Sequence, residues 1–152
     1  MTDALLHFED FPVGEVVTYG SYKLTREAIL AFAREYDPQP FHLDEEAAKD
    51  TLLSGLAASG WHACAILMRL NCDGFLSNST SMGAPGIDEV KWLAPLRPDV
   101  TLSVRRTALE ARTSKSRPEL GFVKFLFELI ADEKAVVATQ VCSIMFGRRQ
   151  AP

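Results

Sequence analysis

The sequence lacks several features that would place it in a specialised class of protein. None of its apolar runs is long enough to cross a bilayer. The N-terminus, MTDALLHFEDF, carries acidic residues early and has no basic stretch followed by an apolar one, so no signal peptide is expected. Basic residues are not in excess, with 16 Lys and Arg against 20 Asp and Glu, whereas a nucleic-acid-binding protein would normally show such an excess. We therefore expect a cytoplasmic protein that binds neither nucleic acid nor membrane.

Cysteine and the common cofactor motifs are also scarce. The three cysteines are odd in number and have no CxxC spacing: Cys64, Cys72 and Cys142. We expect them to be reduced thiols that serve as packing residues. A Gly-rich phosphate loop and a Rossmann fingerprint are both missing, which argues against a nucleotide redox cofactor. The acidic run from Asp44 to Glu46 has no Cys or second His at a useful spacing, so it favours a helix start over a metal site.

What the sequence does contain is the composition of an ordinary globular domain. Hydrophobic residues make up 47% of the chain and charged residues 24%, which is typical of a globular protein with a real core. A length of 152 residues favours one domain over two. We therefore predict a single domain over residues 1–152, with its core over about residues 14–146.

The first half of the chain predicts one strand and then short helices. Residues 14–25 are rich in β-branched and aromatic side chains and indicate a strand. Thr25 can cap a helix that ends at Asp37, because Pro38 disfavours helical geometry in the residue before it. Asp44 is expected to be the N-cap of a further short helix that ends near Lys49.

The segment SGWHACAILMRLNCDGFL, residues 59–76, has a different pattern. Its residues are apolar on nearly every side as far as Arg69. Such a helix is expected to be buried by its surroundings and not merely laid on a surface. Ser59 is in position to cap this helix, and Gly60 would lie in its first turn.

Four strands are expected after this helix. Their segments are GIDEVKWLAPL, DVTLSVRRTAL, GFVKFLFELIA and AVVATQVCSIMF. Alternation of apolar and polar residues indicates antiparallel strands, with Val90, Trp92 and Ala94 together on one face, and residues 131–135 indicate a hairpin turn. This order of elements is typical of an α+β protein. A strongly curved antiparallel sheet around the apolar helix is the simplest way to bury it.

Asp37 and His42 are the residues most suited to chemistry. They lie five positions apart in DPQPFH, where Pro38 and Pro40 push the residues before them toward extended geometry. A fully extended segment would hold the two Cα atoms ~15 Å apart, so they can share a site only if the chain turns between them. If they converge, a carboxylate and an imidazole can hold and deprotonate one water. The alternative is that Asp37 ends a helix and His42 is a structural polar residue.

The DPQPFH segment also resembles a family signature. Asp-x-Asn-Pro-apolar-His is typical of the MaoC-like, or (R)-specific enoyl-CoA hydratase, family, and here Gln39 replaces the Asn. The segments LLSGLAASGWHA, VKWLAPLRPDVTL and EARTSKSRPELG are similar to others of that family, although Ser59-Gly60 stands where His-Gly is frequent. The resemblance covers about residues 14–146. It implies the hotdog fold, in which a curved antiparallel sheet wraps a central buried helix.

The resemblance also implies an activity and its residues. Asp37 and His42 would form the catalytic dyad of a hydratase that adds water to a trans-2-enoyl-CoA, with no metal or redox cofactor. The backbone N–H of Gly60 would bind the thioester oxygen, as a helix N-terminus can. Gln39 and Ser59 would be neighbouring substrate-binding positions that depart from the usual pattern. The alternative for Gly60 is close packing against a strand. Hotdog domains usually pair edge to edge, so a homodimer is also implied.

Two rival functions remain open from the sequence. A hotdog thioesterase would attack the thioester carbonyl at the same helix N-terminus, although such enzymes do not characteristically carry the Asp/His signature. A non-catalytic acyl-binding subunit would explain Gln39 and Ser59 as marks of decay, although the intact dyad argues against it.

Other polar residues have mainly structural interpretations. His62 is expected to be a partly buried structural residue and His7 a solvated one. A basic cluster lies in the segment between the second and third of the four later strands: Arg112, Lys115 and Arg117. It is either a solvated hairpin or a contact for the phosphates of coenzyme A.

Overall fold

The computed structural model describes residues 4–149. Four α-helices are present in that range: α1 Arg26–Tyr36, α2 Pro40–Leu43, α3 Glu45–Lys49 and α4 Gly60–Gly74. Five strands accompany them: β1 Val16–Lys23, β2 Glu89–Trp92, β3 Thr101–Thr113, β4 Leu120–Ala131 and β5 Ala135–Gly147. Short 3₁₀ turns lie at Phe8–Asp10 and Leu76–Asn78. The predicted order of one strand, short helices, an apolar helix and four strands is confirmed, and α2 is an addition to it.

All five strands belong to one antiparallel sheet with the order β1-β3-β4-β5-β2. The long strands β3, β4 and β5 form its centre, whereas the short β2 pairs only with β5 and leaves one edge open. The predicted hairpin joins β4 to β5 through Asp132 and Glu133, whose φ angles are 52° and 57°. Two successive positive φ values twist a tight hairpin in the direction that its strands require.

Helix α4 lies against the sheet and forms the centre of the core. The buried residues Ile66, Leu67 and Leu70 on this helix belong to the same apolar cluster as Phe125 and Phe127 of β4. This open sheet with a central helix is the hotdog arrangement, so the predicted fold class is confirmed.

Helix α4 approaches β1 closely. A Cβ atom at Gly74 would lie 2.3 Å from Cδ2 of Tyr19, and the Tyr19 hydroxyl donates a hydrogen bond of 2.5 Å to Oδ1 of Asn71. Only glycine leaves room for the tyrosine ring at this distance. These contacts fix the C-terminal end of α4 on the sheet.

The expectation that α4 is buried by its surroundings is wrong. The helix is not surrounded, because Trp61 and Met68 on its outer side are 61% and 47% exposed. The edge of the sheet is open as well: Trp92 is 49% exposed, and Ala94 is exposed beyond the end of β2. The reason is common to both: the five strands cover one side of α4, and β2 ends at the open edge, so apolar residues there have no neighbour within the chain.

Candidate active site

A short turn brings Asp37 and His42 together. Helix α1 ends at Tyr36, and the N–H of Gln39 then donates to the carbonyl of Asp37 at 2.8 Å. Pro40 follows as the first residue of α2, where its fixed φ suits a helix start and its missing N–H is not needed. The segment is therefore turned and not extended, and Nε2 of His42 lies 3.4 Å from Oδ2 of Asp37. The chain thus turns between Asp37 and His42, as a shared site requires.

The ring of His42 is buried and held in one orientation. Its Nδ1 lies 2.7 Å from the carbonyl oxygen of Ala57, and the residue is only 6% exposed. Because a carbonyl can only accept a hydrogen bond, Nδ1 carries the hydrogen. In the neutral ring Nε2 then carries a lone pair on the side that faces Asp37. A molecule bound between the two side chains could give a proton to this lone pair.

Asp37 is held by two polar neighbours besides His42. Nε2 of Gln39 donates to Oδ1 of Asp37 at 2.7 Å, which leaves Oδ2 facing His42. Partial burial disfavours the charge on Asp37, but hydrogen bonds from Ser59 and Gln39 and the electrostatic influence of His42 outweigh it and lower its pKa. The carboxylate therefore stays ionised at neutral pH and is a weak proton acceptor by itself.

The N-terminus of α4 supplies a free backbone donor beside this pair. The Ser59 hydroxyl accepts from the N–H of Trp61 at 3.3 Å, and the Ser59 carbonyl accepts from the N–H groups of His62 and Ala63. Among the first N–H groups of the helix, only that of Gly60 has no hydrogen-bond partner within residues 4–149. An unpaired N–H at a helix N-terminus attracts a partially negative oxygen.

Trp92 packs directly on Gly60. Its Nε1 donates to the Gly60 carbonyl at 2.9 Å, and a Cβ atom at Gly60 would lie 2.4 Å from Cε2 of the indole. The alternative interpretation of Gly60, close packing against a strand, is thus confirmed, and it coexists with the free N–H.

One cavity of about 720 Å³ connects these groups. Asp37, His42 and Gly60 lie on its wall, and most of the remaining wall is apolar, including Trp92 and Val137. A cavity of this size and character is typical of a small-molecule site with a few polar groups that orient the ligand.

The other two predicted site residues lie in different surroundings. Gln39 is exposed and lines the cavity, where it can meet a ligand as well as Asp37. Ser59 is fully buried, with 0% exposure, and does not line the cavity. Its hydroxyl accepts from the N–H of Trp61, so it caps α4 instead of facing a ligand.

The basic cluster lies far from this cavity within one protomer. The strands β3 and β4 pair Leu102 with Ala131 at one end and Thr113 with Gly121 at the other. Eleven residues of extended strand span ~36 Å, and the cavity lies at the first end, beside Val137. At the second end Arg112 stacks on Phe122, and Arg117 pairs with Glu119. Within one protomer the solvated hairpin is therefore the better interpretation, and a contact with the phosphates of coenzyme A stays a prediction.

His62 is more buried than expected. It is 6% exposed, and its ring lies parallel to that of Phe32 with centroids 4.5 Å apart. Burial lowers the pKa of His62. This packing fits the structural role that the sequence suggested, and the ring is not part of the cavity wall.

Sequence reasoning missed the contributions of Trp92 and Ala57. Alternation along β2 placed Trp92 on one face with Val90 and Ala94 but did not indicate that it lies at the cavity. The carbonyl of Ala57 carries no side-chain signal at all. Within residues 4–149, no cluster of three or more His, Cys, Asp or Glu side chains could hold a metal, and no helix is long and apolar enough to span a membrane.

Comparison with known proteins agrees with this fold. Residues 9–121 match the model of the MaoC like domain. The crystal structure of a MaoC-like dehydratase from Rhodospirillum rubrum is similar at 40% identity and a TM-score of 0.89, covering 96% of this chain and 99% of that one. The R-hydratase PhaJ1 of Pseudomonas aeruginosa shares the fold at 17% identity and a TM-score of 0.74, covering 97% and 94%.

One curated protein is also similar in sequence over most of the chain. The uncharacterised protein YdeM of Bacillus subtilis is 27% identical over 144 residues, which are 94% of this chain and all of that protein. The domain match spans well over half of the chain, and the similarity to the Rhodospirillum rubrum protein extends over nearly all of it. The chain therefore belongs to the MaoC-like dehydratase family.

Proposed function

We propose that this protein is a hydratase that adds water reversibly across the 2,3 double bond of a trans-2-enoyl-CoA to give a 3-hydroxyacyl-CoA. The (R) configuration is expected from the family resemblance. One observation carries the proposal: Asp37 Oδ2 and His42 Nε2 lie 3.4 Å apart on the wall of a cavity that also contains the free N–H of Gly60. The cavity can thus present a proton acceptor and an oxyanion donor to the same small molecule.

The dyad would act on one water molecule. The lone pair on Nε2 of His42 takes a proton from the water, while the ionised Asp37 accepts a second hydrogen bond from it and stabilises the imidazolium that forms. The water oxygen bonds to C3, and the electrons of the double bond move toward the thioester. The imidazolium then returns its proton to C2, so the dyad ends the cycle unchanged.

Gly60 would stabilise the intermediate charge. When oxygen adds to C3, negative charge collects on the thioester oxygen as an enolate. A fixed N–H at the N-terminus of α4 stabilises such a charge more than it stabilises the neutral carbonyl. The reaction uses only water, substrate and these groups, so we propose that it needs no metal or redox cofactor.

The test is to mix the protein with a short 2-enoyl-CoA and follow two signals. Loss of the absorbance of the conjugated enoyl thioester without release of free thiol is the expected result. Release of free thiol would instead identify a thioesterase, and no change in either signal would identify a non-catalytic acyl-binding protein. Product analysis on a chiral column would then fix the configuration at C3.

Substitution of the dyad tests the roles of its members. Asp37→Asn and His42→Ala should each fold normally and lose hydratase turnover by on the order of a hundredfold or more, the scale of a lost general acid or base. The double variant should be little slower than either single one, because both groups act on one water. Near-normal turnover in either single variant would remove the dyad from the mechanism.

We also propose that the protein forms a homodimer. The edge strand β2 has one unpaired side, and the exposed apolar residues Trp61, Met68 and Ile87 lie on α4 or just before this strand. An open sheet edge with apolar neighbours is a surface that proteins usually pair or cover. Light scattering at micromolar concentration should give the mass of two chains, and a stable monomer would contradict the proposal.

A further inference from the structure

We propose that Trp92 is a positioning residue for the reaction, and that its indole N–H holds the Gly60 peptide so that the Gly60 N–H stays directed at the thioester oxygen. The inference rests on the proposed function. Trp92 lies 32 positions away in sequence, at the end of β2, and its hydrogen bond joins the sheet edge to the N-terminus of α4.

The peptide unit between Gly60 and Trp61 is held at both of its ends. Its carbonyl oxygen accepts from Nε1 of Trp92 at 2.9 Å. Its N–H donates to the hydroxyl of Ser59 at 3.3 Å. The Gly60 N–H itself belongs to the preceding peptide, whose Ser59 carbonyl accepts from the N–H groups of His62 and Ala63. Glycine has the widest range of backbone conformations of any residue, so the direction of this N–H depends on both peptides being held. With the peptides on both sides of Gly60 held, its N–H has little freedom left.

The indole ring also limits where Gly60 can move. Three ring atoms of Trp92 lie between 2.4 and 2.8 Å from the place of a Gly60 Cβ atom, so the ring occupies the space beside the glycine Cα. The ring itself is supported by an edge-to-face contact with Trp61, with centroids 5.4 Å apart. Movement of Gly60 toward the sheet is therefore blocked by a large and supported side chain.

The contacts of the Gly60 peptide extend to a residue that influences the dyad. The Ser59 hydroxyl that accepts from Trp61 also helps to lower the pKa of Asp37, and Ser59 is completely buried. Trp92 thus lies at one end of a chain of contacts that runs through the Gly60 peptide to Ser59. Its indole N–H is already used by the protein, which makes it a support for the oxyanion donor and not a donor to substrate.

The first experiment separates turnover from substrate binding. Trp92→Phe keeps an aromatic ring but removes the N–H together with the five-membered ring that carries it. We expect turnover to fall about tenfold while KM changes less than twofold, because the donor acts mainly on the enolate. The comparator is Trp61→Phe, which removes the same atoms beside the same cavity, but its indole N–H has no hydrogen-bond partner within residues 4–149. The difference between the two variants therefore reports the hydrogen bond and not the loss of ring size. An equal or larger loss of turnover in Trp61→Phe would overturn the inference.

The second experiment measures the oxyanion donor directly. In the Asp37→Asn background hydration of a bound 2-enoyl-CoA should be slowed by about a hundredfold or more. A rapid-mixing spectrum taken before turnover then reports polarisation of the thioester carbonyl through the red shift of its conjugated absorbance. We expect a clear shift in Asp37→Asn and a shift smaller by half or more in Asp37→Asn/Trp92→Phe. An undiminished shift at saturating ligand, with turnover also unchanged in Trp92→Phe, would show that Trp92 only packs against the helix.

These outcomes keep the inference distinct from the proposed function. If wild-type protein hydrates the 2-enoyl-CoA but Trp92→Phe keeps full turnover and full polarisation, the inference alone fails. If wild-type protein neither hydrates the compound nor polarises it, the proposed function fails and the inference falls with it. Melting curves of each variant check that the folded fraction is the same at the assay temperature.

Discussion

A single added methyl group at Gly60 should separate the chemistry of the site from the stability of the fold. In Gly60→Ala the new Cβ would lie 2.4 Å from Cε2 of Trp92, whereas unstrained carbon atoms lie about 3.5–4.0 Å apart. The ring or the helix start must therefore shift by about 1 Å. Gly60 does not have a positive φ, so alanine can adopt its backbone conformation. The clash with the Trp92 ring is then the main obstacle to the substitution.

The two costs of this substitution differ greatly in size. An overpacked site typically costs about 1–3 kcal/mol, and the preference of a helix for alanine over glycine returns about 1 kcal/mol. The net loss of about 0–2 kcal/mol corresponds to a fall in melting temperature of at most about 8 °C for a chain of this length. A donor displaced by about 1 Å can lose a hundredfold in rate. We expect turnover to fall about a hundredfold in a protein that still folds.

The assay compares turnover and melting temperature in Gly60→Ala and in a matched control. Gly86→Ala makes the same chemical change at a position where nothing lies within 4 Å of the added Cβ and where φ is not positive, so it should leave both measurements near the wild-type values. If Gly60→Ala keeps the turnover of Gly86→Ala, then the Gly60 N–H is not the oxyanion donor, whatever happens to the melting temperature.

Two further predictions concern the turn before α2 and the outer face of the sheet. Pro40→Ala should lower the free energy of unfolding by only ~0.4–1 kcal/mol. Turnover should fall by more than this loss of stability explains, because the first residue of α2 helps to place His42. A large loss of melting temperature with full turnover per folded molecule would contradict this. Arg105 lowers the pKa of Glu128 through two hydrogen bonds of 2.8 Å, so the pair stabilises the protein above the unfolded pKa of the carboxyl group, and this contribution is lost as the pH falls through the lower folded value. The melting temperature should therefore fall less steeply with decreasing pH below about pH 4.5 in Glu128→Gln than in the wild-type protein. Parallel curves of melting temperature against pH would contradict this prediction.

The features that could be predicted from the sequence depend on nearby residues. Thr25 and Asp44 cap α1 and α3 by accepting from backbone N–H groups two or three residues ahead, which is a contact that sequence spacing alone determines. Pro38 ends α1 for an equally local reason. The strands β3, β4 and β5 were visible because each buries one face and so alternates in polarity.

The features that could not be predicted depend on distant parts of the chain. The exposed side of α4 follows from the number of strands that fit around it, and nothing in the helix itself encodes that number. The contact of Trp92 with Gly60 joins residues 32 positions apart. The separation of Asp37 and His42 depended on whether Pro40 continued an extended segment or began a helix, and proline is compatible with both. In each case the local pattern allowed two structures, and tertiary contacts selected one.

The two departures from the family signature have a common physical meaning. Gln39 stands where Asn is usual, and Ser59 stands where His is frequent. Gln39 donates to the carboxylate of Asp37, and Ser59, Gln39 and His42 together outweigh the partial burial of Asp37 and lower its pKa. Gln39 and Ser59 change the supports of the dyad and leave its two members and their contact intact. Decay of a catalytic site would remove the constraint that keeps Asp37 ionised and oriented toward His42. The replaced residues instead keep it ionised and oriented, which favours a working hydratase over a non-catalytic subunit.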